Sequence, residues 1–156
     1  MAQSDANRSS NPLLEPWATP FGIPPFESIV PEHYGPAFDA AIAEQKAEID
    51  SIVAAAEAPT FANTVEALER SGATLKRVGG VFFNLAGSHT NDDIQAIERE
   101  MAPRLAKHRN SIFMNEALFR RVDALHRDKD RLGLSSEQAR LLDRYHTIFV
   151  RAGARL

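Results

Sequence analysis

The sequence predicts an all-α fold of about five mostly antiparallel helices, preceded by an extended proline-rich arm. Three observations lead there. Apolar residues recur at helical spacing through most of the 156 residues. Between Thr60 and His89, large side chains stand at every seventh position (Phe61, Leu68, Leu75, Phe82), with Val65, Gly72, Gly79 and Ala86 seven apart between them. Steps of four and three place both sets on one helix face. Capping residues recur at short intervals, and no stretch alternates long enough to make a strand. Short connections between helices favour antiparallel neighbours.

Taken in order, residues 1–10 are polar and aperiodic, and are expected to be a disordered tail. Residues 11–31 hold six prolines (Pro12, Pro16, Pro20, Pro24, Pro25, Pro31) among Leu13, Leu14, Trp17, Phe21, Ile23, Phe26 and Ile29. Such proline density prevents a helix. The large apolar groups among the prolines predict an arm lying along a folded surface.

Residues 32–156 form the helical domain. Its first helix is expected from Pro31 or Pro36 to Ala56, with Tyr34, Phe38, Ile42, Ile49 and Ile52 on one side and Pro59 closing the segment. Asn63, with Glu66 three residues on, reads as the cap of a central helix. That helix is expected to run unbroken through Gly72, Gly79 and Gly80 to a left-handed end near Gly87, with Val78, Val81, Phe83 and Leu85 widening its apolar face.

Thr90 or Asn91 caps the third helix, which carries Asp92 and Asp93 in its first turn, Ile94, Ile97, Met101, Leu105 and Ile112 on its apolar side, and Pro103 as a kink. Asn115 caps a short fourth helix with Leu118, Phe119, Val122 and Leu125. Arg127 to Gly133 reads as a solvated loop. Ser135 and Gln138 suit a capping box for a fifth helix bearing Leu142, Tyr145, Phe149 and Ala152, expected to be still running at Leu156.

Composition excludes several functions. Charge is −3 with acids and bases interleaved, so no basic face marks a nucleic-acid partner. There is no cysteine for disulfides or thiolate chemistry. No signal-peptide pattern opens the chain, and no apolar run reaches the ~18 residues of a membrane span. A cytoplasmic protein with no membrane partner is expected.

The five histidines stand 18 to 56 residues apart, and none pairs with another across one helical turn as metal-binding histidines do. Gly-x-Ser-x-Gly does not occur. Gly72, Gly79 and Gly80 read as sites of close helix packing, not as a phosphate cradle. Glu98 and Glu100 point apart on a helix, and Phe82 and Phe83, which could line a ligand groove, read rather as core packing. Asn84 to Asp92, NLAGSHTND, is a polar stretch around His89 that reads as a helix-ending turn. No catalytic, cofactor-binding or metal-binding residue is assigned.

Five segments carry a resemblance. NPLL (Asn11 to Leu14), PPFESIVPEHYGPAFDAAI (Pro24 to Ile42), APTFANTVEALERSG (Ala58 to Gly72), VFFNLAGSHTND (Val81 to Asp92) and FVRAGARL (Phe149 to Leu156) together resemble the N-terminal part of the thimet oligopeptidase family of zinc metallopeptidases. The likeness is to its bacterial peptidyl-dipeptidase branch, with oligopeptidase A as a relative.

The resemblance implies that residues 32–156 are the helical N-terminal domain of a longer peptidase and form one wall of its substrate channel. It also implies a zinc ion in the parent protein, held by a His-Glu-x-x-His motif and a later glutamate. That motif is absent from this sequence, so the cofactor expected for this chain is none. The implied partners are the missing catalytic domain of the same polypeptide and short peptides. A homodimer formed by exchange of the 11–31 arm would cover faces left bare. The alternative is a stand-alone helical interaction module docking through the arm or the central helix.

Overall fold

The computed structural model describes residues 11–154; the tail expected at residues 1–10 lies outside them. Five helices of twelve residues or more are present: α1 (Tyr34–Ala54), α3 (Ala73–Ser88), α4 (Asp92–Phe113), α5 (Glu116–Arg127) and α6 (Ser136–Ala152). A one-turn helix, α2 (Ala67–Arg70), continues a wide π-helical turn over Phe61–Glu66. No strand occurs among the described residues. An arm precedes the helices, as the prolines require, but it is interrupted by 3₁₀ turns at Pro20–Gly22, Phe26–Ser28 and Pro31–His33.

The chain divides into two compact units. The first comprises Met1–Gln45 and Gly72–Leu105. Its core gathers Leu13 from the arm, Tyr34, Ala37 and Phe38 from α1, Val78, Val81 and Phe82 from α3, and Ile94 and Met101 from α4. Phe82 meets the rings of Tyr34 and Phe38 edge-on, at centroid distances of 5.0 and 5.5 Å, the favoured arrangement for ring quadrupoles.

Local bonds shape the start of the arm, and one of them ties it to the turn ahead of α1. Asn11 Nδ2 donates to the His33 carbonyl at 2.9 Å, and its Oδ1 accepts from the Leu13 amide at 3.0 Å. Trp17 Nε1 donates to the Pro12 carbonyl at 2.9 Å.

The second unit comprises Lys46–Ser71 and Ala106–Leu156. Ile49, Ile52, Val65, Leu68, Leu118, Val122, Leu142 and Phe149 lie at its centre. Arg121 of α5 ties down the connection ahead of the π turn, donating to the Ala55 carbonyl at 3.1 Å and to Asn63 Oδ1 at 3.2 Å. The bond to the Ala55 carbonyl satisfies a backbone acceptor that the end of α1 leaves without a partner.

Asn91, Asn115 and Ser135 cap α4, α5 and α6, accepting from Ile94, Leu118 and Gln138 amides at 2.9, 2.9 and 3.2 Å. Helix α4 continues through Pro103. Four expectations are corrected. The central helix is not continuous: Ser71 is extended (ψ 149°) and Gly72 is left-handed (φ 70°), so α2 and α3 are separate. A Cβ at Gly72 would also collide with the Gln45 amide.

The cap before the π turn is Thr60, not Asn63. Thr60 Oγ1 accepts from the Asn63 amide at 3.0 Å and Asn63 Oδ1 accepts from the Thr60 amide at 2.8 Å, so asparagine takes the part usually played by glutamate. Gly87 is helical, and α3 ends at His89 with φ −141°. Helix α6 stops at Gly153 (φ 91°), where the Ala154 amide bonds back to the Phe149 carbonyl at 3.1 Å in the usual left-handed helix ending.

Candidate functional site

The polar cluster at the α5–α6 pair starts from a repeated spacing. Asp123-x-x-His126 lies on α5 and Asp143-x-x-His146 on α6. Three residues apart on a helix, each acid and imidazole share a face. The helices run antiparallel, so the pairs cross. His146 Nε2 lies 3.0 Å from Asp123 Oδ1, and His126 Nε2 lies 3.3 Å from Asp143 Oδ1. The two imidazoles stack between them with centroids 3.8 Å apart and planes within 5°.

Two permanent cations complete the cluster. Arg127 pairs with Asp123 Oδ2, and Lys129 Nζ donates to both Asp143 oxygens at 2.9 and 3.0 Å. The hydrogen bond from Lys129 holds Asp143 below the usual carboxylate range. Desolvation, then the stacked His146 ring, hold His126 below its ordinary value, with Asp143 opposing.

With two carboxylates matched by Arg127 and Lys129, the quartet braces α5 to α6. It does not suit a zinc ion, the metal that the family resemblance implies. Each Nε2 faces its own carboxylate, and among the described residues no three histidine, aspartate or glutamate side chains are placed to hold a metal.

The first unit carries a different kind of feature. The Arg77 guanidinium lies 5.1 Å from the centre of the Trp17 ring and donates to the Leu13 carbonyl at 3.0 Å. Pro24 and Phe26 from the arm and Gly80, Val81 and Asn84 from α3 border an open pocket beside this stack. Arg77 Nε and the Tyr34 hydroxyl are buried without a hydrogen-bond partner among the described residues. Burial pushes the Tyr34 hydroxyl up to about 12. A second shallow pocket, bordered by Leu14, Glu15, Glu44 and Thr74, is closed on one side by the 3.0 Å bond from Thr74 Oγ1 to Glu44 Oε1.

The stretch from Asn84 to Asp92 gathers no site. Asn84 to Ser88 complete α3, His89 is exposed at its end, and Asn91 caps α4.

No protein-family model matches the chain. Individual proteins do. Over 148 residues the sequence is 45% identical to the dipeptidyl carboxypeptidase of Salmonella typhimurium, covering 95% of this chain and 22% of that protein. Over 146 residues it is 42% identical to the dipeptidyl carboxypeptidase of Escherichia coli, covering 94% of this chain and 21% of that one. Oligopeptidase A of E. coli is 27% identical over 135 residues, 86% of this chain and 19% of its own length.

The chain belongs to the dipeptidyl carboxypeptidase and oligopeptidase A family. It spans about a fifth of the length of the curated relatives it matches. This family member's quartet of His126, His146, Asp123 and Asp143 was missed in the sequence, where histidine pairs were sought within one helix. The twofold Asp-x-x-His spacing was the available signal. No helix among the described residues is long and apolar enough to cross a membrane.

Proposed function

We propose that this chain is the N-terminal, non-catalytic part of a zinc metallopeptidase that removes dipeptides from the C-termini of short peptides, and that it forms one wall of the substrate channel. The carrying observation is the 45% identity, over 95% of this chain, to a protein named dipeptidyl carboxypeptidase. The sequence has no His-Glu-x-x-His, so the zinc and the water it activates belong elsewhere in the polypeptide. A wall domain needs shape more than chemistry. An all-helical body whose polar clusters are internally paired suits that task.

The test compares the chain as given with the product of its whole reading frame. Each is incubated with zinc and a short peptide, and the products are weighed by mass spectrometry. Dipeptide release by the whole frame alone, abolished by a chelator, is the expected result. Release by the purified 156-residue chain, or silence from both, overturns the proposal. Silence from both favours the stand-alone interaction module, a reading that draws on the exposed apolar residues of the arm.

A further inference from the structure

The arm changes character along its length. Up to Trp17 it is anchored: Leu13 is fully buried, and Asn11 and Arg77 bond it in place. Beyond Thr19 it turns most of its large side chains outward, while Ile29 packs against the core. Phe21 is 99% exposed, Ile23 51%, and Phe26 and Val30 44% each. Glu27 is the only charged residue between Thr19 and Pro31.

A single exposed apolar residue is ordinary; four within ten positions, on a segment with one charge, mark a contact surface. The backbone adds an independent sign. Phe21 sits at φ 60°, ψ 13°, the only left-handed residue other than glycine among those described. A bulky side chain adopts that conformation at a steric cost. Gly22 follows at φ 65°, and Thr19 Oγ1 closes the loop on the Ile23 carbonyl. The fold thus holds a phenylalanine in a strained turn and buries none of it.

We propose that the ridge of Phe21, Ile23, Phe26 and Val30 is the surface by which this chain docks onto the remainder of its own polypeptide. This rests on the proposed function above. The occupant is chosen on length: a relative that matches 95% of this chain has only 22% of its own length covered, so an apolar partner surface would be present at high effective concentration. A second copy is the competing occupant, since twofold interfaces pair one patch with itself, and the crosslink separates the two.

The experiment uses the whole reading frame with the photo-reactive residue p-benzoylphenylalanine in place of Phe21. After illumination and digestion, mass spectrometry identifies the joined peptides. The expected product joins the arm to a peptide from beyond Leu156 within one molecule. Crosslinks confined to residues 1–156, crosslinks only to a second copy, or none would overturn the docking surface.

A paired measurement guards against a perturbed fold. In the whole protein, Phe21→Asp with Ile23→Asp is expected to raise protease cleavage between residues 18 and 30 at least tenfold, and to leave cleavage of the isolated 156-residue chain unchanged. Equal effects in both would count against docking. If the whole frame releases dipeptides yet the crosslinks miss, only this inference falls. If the frame encodes no peptidase, the functional reading falls with it.

Discussion

The first unit of the molecule buries polar atoms that have no hydrogen-bond partner among the described residues, whereas the second links charged side chains of neighbouring helices in ion pairs; both carry ring contacts in their cores. Tyr34, Phe38 and Phe82 make a T-shaped aromatic centre in the first, which also buries a hydroxyl and a guanidinium nitrogen without partners among the described residues. In the second, Arg121 holds a loop, His126 and His146 cross-brace two helices, and the Tyr145 hydroxyl donates to Glu69. An unsatisfied polar atom weakens a fold, whereas a closed network fixes helix register. The first unit is therefore the one with surfaces to offer a partner, and the second is the better-specified scaffold.

The largest test of this contrast removes one central ring from each. Phe82→Ala and Phe149→Ala should each cost about 3–5 kcal/mol, the usual range for a fully buried phenylalanine. Hydrogen exchange should show the loss from Phe82→Ala first in residues 73–105 and that from Phe149→Ala first in residues 106–152. The same pattern for both variants would abolish the division into two units.

Next in size is Gly72→Ala, expected to destabilise by roughly 2 kcal/mol in chemical denaturation, because alanine must adopt φ 70° and displace Gln45. Gly80→Ala, at a helical position with nothing near its Cβ, should do the opposite and stabilise by about 0.5–1 kcal/mol. Like signs for the two would refute the helix break.

Tyr34→Phe removes a hydroxyl that is buried without a partner and should raise stability by about 1 kcal/mol. It should also remove an alkaline loss. Folding raises the Tyr34 value from 10.0 to about 12, so the unfolded chain gives up this proton first and stability falls as pH climbs from 10 toward 12. Thermal unfolding of both proteins between pH 9 and 12 reads this directly.

The smallest effect is on the acid side. Folding holds His126 below its ordinary 6.5, and burial does the same to His108, so the unfolded chain binds protons first. Their contribution is present above pH 6.5 and is lost as pH falls toward the folded values. Asp143, held below 3.8, extends that loss to lower pH. Acid should therefore loosen the second unit first, and His126→Gln should flatten the response. Alkali separates the units less, because burial and Glu69 raise Tyr145 as well. Exchange protection lost first around Phe82 at pH 5 would reverse the assignment.

The sequence made the helices legible wherever the deciding interaction was local. Asn115 and Ser135 cap helices three residues ahead, and that spacing is visible in the chain. The break at Gly72 was not visible. Gly72 and Gly79 occupy equivalent places in the seven-residue pattern, yet only Gly72 is left-handed and pressed by Gln45, a residue 27 positions away in sequence. Hydrophobic spacing reports which face is buried and is blind to the sign of φ. The histidine quartet failed to show for a related reason. Each half could be read as Asp-x-x-His, but their meeting depends on the register of α5 against α6, with 123 opposite 146 and 126 opposite 143. No local feature sets that register.

The chain passes between its units after Gln45, after Ser71 and after Leu105. The first and third passages lie within α1 and α4, and only the second lies in non-helical backbone. For anyone dividing the gene, the Ser71–Gly72 bond is the place where a nick would leave every long helix whole. Each piece would then carry part of both cores. Neither should fold alone, and their mixing should restore both units, making this bond a ready point for fragment complementation.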